Sequence, residues 1–449
     1  MTKNQKSTTA VILAAGLGKR MKSERPKVLH EVAGQSMLAA VVAEVRAVGV
    51  GRIILVLGPE FPKAAIPSEV ETVVQHNRQG TGDALRQAIP LLAGHPGAVV
   101  VLAGDVPLIR PSTIARLIEP LERDGLAIAV AGFTTDQPQG YGRLVLDDQN
   151  RLERIVEQKD ATEAEQAIGL CNAGAYGFAA EYLPAWLQRL QPNNAQGEYY
   201  LTDCIKLARQ DGLAVGVAHC AEAEMLGVNN RLDLARVEAL AQQRLREAAM
   251  LAGVTLRQPE TVTLSFDTEF AEDVIVEPFV VFGRGVRLAR GVHIRSFSHL
   301  EGAVVAEGAI IGPYARLRPG TRIGAAAHVG NFVELKNSDL GAGAKANHLS
   351  YIGDTTVGEG ANIGAGTITC NYDGFDKYRT EIGAGAFIGS NSSLVAPLRV
   401  GAGAIIGAGS VITAAVDADA LAVTRAGLTL RPGWAARFRE GKKGSMKKK

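Results

Sequence analysis

The sequence predicts an α/β domain followed by a parallel β-helix, with a long helix between them. Three observations carry this. Apolar runs alternate with amphipathic stretches over roughly the first two hundred residues. A charged segment free of Gly and Pro comes next, and beyond about Gly253 apolar residues recur every six positions. A chain of 449 residues is too long for one ordinary core, so division into domains is expected from length alone.

The first element rests on "TAVILAAG", "RIILVLG", "AVVVLAGD" and "AIAVAGF", runs rich in Val, Ile and Leu with little alternation. Such runs read as strands buried on both faces. The segments between them, "MLAAVVAEVRAVG" and "GDALRQAIPLLAG", read as helices. Strand and helix in alternation imply a mainly parallel sheet covered on both sides. The second element, from Asn229 to about Ala252, interleaves charges and reads as one helix leaving the first domain.

The third element is the six-residue period. Val274, Val280, Val286 and Val292 form one run. Ile311, Leu317, Ile323, Val329 and Leu335 form a second, and Ile382, Ile388, Leu394, Val400, Ile406 and Ile412 a third. Neither a helix nor a simple strand has this period. A coil that turns a corner every six residues does, and its apolar position always points inward. Each coil buries its face only by stacking on the next, which accounts for the number of repeats. "NYDGFDKYRT" breaks the pattern and reads as an extruded loop.

Bulk properties exclude some function classes. The 48 basic and 46 acidic residues leave a net charge of +2, unlike a duplex-binding domain. The terminal "GKKGSMKKK" reads as a solvated, unstructured tail. Cys171, Cys204, Cys220 and Cys370 have no metal spacing and suggest a reducing compartment. The run Ala10–Ala15 is too short to span a bilayer, so a cytoplasmic location is expected.

The glycine loop "LAAGLGKRM" excludes two phosphate cradles. The dinucleotide fingerprint needs a third glycine where Met21 stands, and the P-loop needs Ser or Thr where Arg20 follows Lys19. What remains is a strand-to-loop turn whose backbone can approach a nucleotide, with Lys19, Arg20 and Lys27 near a triphosphate. A plain turn with solvated basic residues is the competing reading. Asp105 ends an apolar strand, where open α/β sheets place ligands. It suits a magnesium site or a turn-capping role.

Together, "LAAGLGKRM…RPKVLHEVAG", "QGTGDA", "LAGDVPLI", "GYGRL", "IVEQKDA", "NAQGEYYLTD" and "GVNNR" resemble the sugar-1-phosphate nucleotidyltransferases. With "RLRPGTRIG", "HVGNFVELKNS", "KANHLSYIGD", "NIGAGTITCNYDG" and "TRAG", the chain resembles the bacterial bifunctional uridylyltransferase–acetyltransferases from about Thr9 to Arg425. The resemblance implies a Rossmann-like uridylyltransferase domain at 1–230, a helical linker at 231–252 and a left-handed β-helix at 253–425 that assembles as a homotrimer. A basic tail at 426–449 completes the chain.

The resemblance also implies the sites. Leu13, Ala14, Ala15 and Gly16 would line the UTP site, Arg20 and Lys27 would face its phosphates, and Gln75, Gly80 and Thr81 would read the base. Ala103, Gly104 and Asp105 would contact the nucleotide, Gly142, Glu157 and Asn172 would hold the sugar, and Asp105 with Asn229 would bind Mg2+. In the second domain His348 would be the general base that takes a proton from the glucosamine-1-phosphate amine, an imidazole suiting that task. Arg318, Lys336, Tyr351 and Asn362 would grip the sugar phosphate. Ala365, Asn371, Tyr372, Ser390, Ala408 and Arg425 would bind acetyl-CoA. Glu334 either orients a neighbour or is a solvated structural carboxylate. The expected product is UDP-N-acetylglucosamine, a precursor for cell-envelope polymers.

Overall fold

A computed structural model describes residues 8–149 and 151–446 of the chain. These fall into two compact units, divided between residues 245 and 246, inside the helix Arg231–Leu251.

In the first unit the strand Thr9–Ala14 runs parallel to Arg52–Leu57 on one side and to Ala98–Ala103 on the other. The sheet continues through Glu71–Val74 at one edge, and through Leu170–Ala179, Ile128–Thr134 and Val215–His219 at the other. Leu170–Ala179 is antiparallel to both its neighbours, so the mainly parallel sheet expected is a mixed one. The lack of alternation has a direct reading in the packing. Val11, Val99 and Val101 join the core on one face, and Ile12, Val100 and Leu102 join the core on the other. Helix Met37–Val48 buries Met37, Leu38, Val41, Val42, Val45 and Val48 at helical spacing. Ser36 caps its start by accepting from Ala39 N–H at 3.3 Å, and left-handed Gly49 ends it. "GDALRQAIPLLAG" makes two short helices, Thr81–Arg86 and Ile89–Leu92, with Pro90 near the start of the second.

In the second unit, two- to four-residue strands stack in three parallel sheets of ten, eight and eight strands. This is a left-handed β-helix of hexapeptide repeats. Val276, Ile294, Ile311, Val329, Ala346, Ile363, Ile388 and Ile406 pair in sequence up one sheet, and all are buried. The six-residue runs supply such inward columns on all three sides. Asp339 pairs with Thr356, but Thr356 pairs with Glu381. The longer second step accommodates the extruded segment 371–379.

The tail differs from expectation. Residues Trp434–Met446 form a helix, with the Trp434 and Phe438 rings stacked at 5.2 Å. These residues are four apart and so share one helix face, and the segment is rich in good helix formers. The lysines at 447–449 lie outside the described residues. Among the described residues no helix is long and apolar enough to cross a membrane.

Candidate functional site

The glycine loop delivers a lysine to the end of a strand. Gly18 is left-handed (φ 61°), and a Cβ there would collide with the Cβ of Lys27. Its absence lets the segment carrying Lys27 close against the loop. Buried Met21 anchors the single turn Lys19–Met21. The Lys27 ammonium pairs with the Asp105 carboxylate, which sits just past the strand Ala98–Ala103.

A cavity of 540 Å³ opens there. It is lined by Leu13, Ala14, Ala15, Gly16, Lys27, Gln75, Gly80, Thr81, Ala103, Asp105, Glu157 and Asn172, residues drawn from the ends of several elements. Arg20, Gly142 and Asn229 line a second cavity of 480 Å³, which shares Glu157 and Asn172 with the first. Gly104 lies behind the wall. Its N–H donates to Leu13 carbonyl at 2.9 Å, and Ala14 and Leu38 crowd the space a Cβ would take.

The electrostatics of the wall are uneven. Burial raises the Glu157 pKa above the usual carboxylate range, and the nearby Asp160 and Asp203 raise it further. Its carboxylate lies against Gly142, where a Cβ would sit 3.4 Å from both oxygens. Asn172 Nδ2 donates to the hydroxyl of buried Tyr176 at 2.8 Å, which fixes the amide. Arg20 Nη2 donates to Asn229 Oδ1 at 3.0 Å. The neighbouring Val228 N–H donates to the Asp105 carbonyl at 3.0 Å, tying the two candidate metal ligands together through the backbone.

Among the described residues no three His, Cys, Asp or Glu side chains cluster as a metal site. Asp105 and Asn229 supply one carboxylate and one amide oxygen. That donor set fits a hard cation that completes its shell with water and substrate phosphate.

Sequence reasoning missed Arg78, Asp83 and Tyr176. Arg78 lines the first cavity, donates from Nε to Ala15 carbonyl at 2.6 Å and pairs with Glu60. The residue types alone gave no signal for it. For Asp83 the signal was its place on the first turn after the "QGTG" loop.

On the β-helix the polar residues converge around one buried carboxylate. Asp354 accepts from Lys336 Nζ at 3.2 Å, Asn337 Nδ2 at 2.7 Å and Asn371 Nδ2 at 2.5 Å. Burial works against its charge, but these donors outweigh it and hold the carboxyl below its ordinary pKa. Tyr351 lays its hydroxyl over Gly353, beside Asn371 Nδ2, in a space that a Cβ at 353 would fill. Glu334 accepts from Arg318 Nη1 at 3.0 Å and stays partly exposed. Lys377, also missed, comes from the extruded loop. The Lys336 ammonium beside it pushes its pKa down, and Arg318 adds to the effect. Lys336 and Arg318 are neutralised by Asp354 and Glu334, and Lys377 adds a further cation beside Lys336, a set of donors that suits a phosphate.

His348 is exposed, and its Nδ1 lies 2.7 Å from Asn331 Oδ1. Asn362 pairs with Lys345 and Phe387 in the sheet that carries His348. Ala365, Ser390 and Ala408 follow one another along one corner. Asn391 N–H donates to Ala365 carbonyl at 2.7 Å, Gly409 N–H donates to Ser390 carbonyl at 2.8 Å, and Gly389 leaves room for Ala408. Arg425 lies against Gly407 and Gly409 beside them. Tyr372 stands exposed at the mouth of the loop and donates to Gly374 carbonyl at 2.5 Å.

Comparison with known proteins gives two family matches, a MobA-like NTP transferase domain over residues 10–168 and a bacterial transferase hexapeptide of six repeats over residues 379–414. The chain is 54% identical to the bifunctional protein GlmU of Parvibaculum lavamentivorans, with 96% of each chain covered. It is 52% identical to that of Azorhizobium caulinodans, covering 97% of this chain and 98% of the relative. The Zymomonas mobilis protein of the same name is 49% identical, covering 98% of this chain and 99% of the relative.

Proposed function

The chain belongs to the bifunctional GlmU family and is both a uridylyltransferase and a glucosamine-1-phosphate acetyltransferase, and from that premise we propose which residues carry each step. The first unit holds UTP and N-acetylglucosamine-1-phosphate in the joined cavities. Leu13–Gly16 cradle the nucleotide, with Gly104 backing the loop, and Lys27 and Arg20 face the phosphates. Gln75, Gly80 and Thr81 read the base, and Gly142, Glu157 and Asn172 hold the sugar. The sugar phosphate oxygen attacks the α-phosphorus and pyrophosphate leaves. No covalent nucleophile is needed, so positioning and charge neutralisation supply most of the rate. Magnesium held by Asp105 and Asn229 would neutralise phosphate charge there. Lys27 and Arg20, now paired with those two side chains, would be released toward the phosphates.

In the second unit Arg318, Lys336, Tyr351 and Asn362 hold glucosamine-1-phosphate, and His348 removes the amine proton as the nitrogen attacks the thioester. Ala365, Asn371, Tyr372, Ser390, Ala408 and Arg425 line the acetyl-CoA track. Acetylation precedes uridylylation. The protein works as a cytoplasmic homotrimer, neighbouring subunits completing each acetyltransfer site, with 1–230, 231–252 and 253–425 as its functional divisions.

The observation that best supports this reading is the Lys27–Asp105 pair at a strand end, inside a cavity walled by the glycine loop. The test supplies magnesium, UTP, glucosamine-1-phosphate and acetyl-CoA, and follows CoA thiol and pyrophosphate separately. CoA release, with pyrophosphate only when acetyl-CoA is present, is expected. Pyrophosphate from N-acetylglucosamine-1-phosphate without any CoA release under any condition would remove the second site.

A further inference from the structure

Gln75 is buried in the wall of the first cavity, and both contacts of its amide nitrogen are of one kind. Nε2 donates to Asp83 Oδ2 at 2.6 Å and to Gly80 carbonyl at 3.2 Å. A carboxylate and a carbonyl only accept, so the opposite orientation of the amide would set oxygen against oxygen twice. Asp83 itself is held on the first turn of helix Thr81–Arg86, where Gln87 Nε2 reaches its backbone carbonyl at 3.2 Å and its Oδ1 at 3.5 Å. Among the described residues no donor meets Gln75 Oε1.

We infer that Asp83 is a positioning residue that sets the polarity of Gln75, so that the side chain offers the nucleobase an acceptor and never a donor. The inference rests on the reading of this cavity as the nucleotide site. A fixed acceptor takes a hydrogen bond from the imide N–H of uracil. Cytosine presents a lone pair at the same ring position, so a cytosine nucleotide sets acceptor against acceptor in a buried wall. Discrimination between the two bases then depends on a carboxylate that need not touch either one.

The experiment measures kcat/KM for UTP and for CTP on the full chain, with N-acetylglucosamine-1-phosphate and magnesium. Both nucleotides are read on one preparation, so the ratio is independent of the fraction correctly folded. With Asp83→Ala the amide is free to turn, and the UTP-to-CTP ratio should fall by about tenfold or more, the usual cost of an unsatisfied buried polar group being at stake. Asp83→Asn keeps an acceptor oxygen and should recover part of the ratio. A ratio unchanged in Asp83→Ala, or both nucleotides weakened equally, overturns the positioning role. Gln75→Ala separates the two levels. If it leaves UTP use unaltered, the base-site reading fails and the inference goes with it. If it weakens UTP use while Asp83→Ala keeps the ratio, only the role of Asp83 is lost.

Discussion

His348 Nδ1 and Asn331 Oδ1 lie 2.7 Å apart, paired across adjacent coils of the β-helix. With the amide oxygen as acceptor, the ring carries its proton on Nδ1 and presents the Nε2 lone pair outward. That is the tautomer a general base needs. Asn331→Ala leaves the ring free to turn and to exchange tautomers. The kcat for acetyl transfer should fall by about 10- to 100-fold, a fraction of what general-base catalysis contributes, while KM for acetyl-CoA changes little. Uridylyl transfer, measured on the same sample, should be unaffected. An unchanged kcat would remove Asn331 from the mechanism.

Asp354 predicts how the β-helix responds to acid. Its native pKa lies below the ordinary value of 3.8 because Asn337, Asn371 and Lys336 outweigh the cost of burial. The unfolded chain therefore binds a proton more readily. The stabilisation is present above 3.8 and is lost as pH falls through the lowered native value. Asp354→Asn should lower stability by about 3 kcal/mol at neutral pH, since one partner of a nearly buried ion pair is removed. The difference in Tm from the native chain should narrow as pH falls below about 5 and on through the lowered native value. A difference that is constant with pH would show that Asp354 acts by packing alone.

The two reactions should separate under chelation. Asp105 and Asn229 belong to the first unit and His348 to the second. Excess EDTA should abolish pyrophosphate release and spare CoA release. Asp105→Asn should cost uridylyl transfer at least about 100-fold, the scale on which a phosphate-charge stabiliser acts. Parallel loss of both activities would contradict independent sites.

These groups differ in how far the sequence reveals them. The six-residue period was legible because every coil repeats one packing demand, and the parallel strands were legible because burial on both faces suppresses alternation. Lys27 and Asp105 stood out as a charge in a glycine loop and a charge after an apolar strand. Most of the contacts that orient one side chain by another did not. Asn331 with His348, Asn337 with Asp354 and Asp354 with Asn371 are each 17 positions apart, one coil of the helix. A pair at that distance is invisible until the coil length is known, and coil length varies where the register slips. The antiparallel strand Leu170–Ala179 was hidden for another reason: the composition of a strand does not tell in which direction it runs.

Coil-to-coil contact sets the last prediction. Gly330 faces the backbone of Asn347 on the next coil, and a Cβ at 330 would overlap the Asn347 carbonyl. The obstacle is backbone in a hydrogen-bonded ladder, so no side chain can swing aside to make room. Gly330 also lies between Val329 and Asn331, which pair with Ala346 and His348. Gly330→Ala must therefore push apart the two coils that hold His348 against Asn331. The expected cost is about 1–3 kcal/mol of stability, in the range of overpacked cores, read as a lowered Tm. Acetyl transfer should fall further than stability alone dictates, because the displaced coil carries the base, and uridylyl transfer should remain. If Gly330→Ala matches the native chain in both Tm and acetyl transfer, the coils are not in the tight register described.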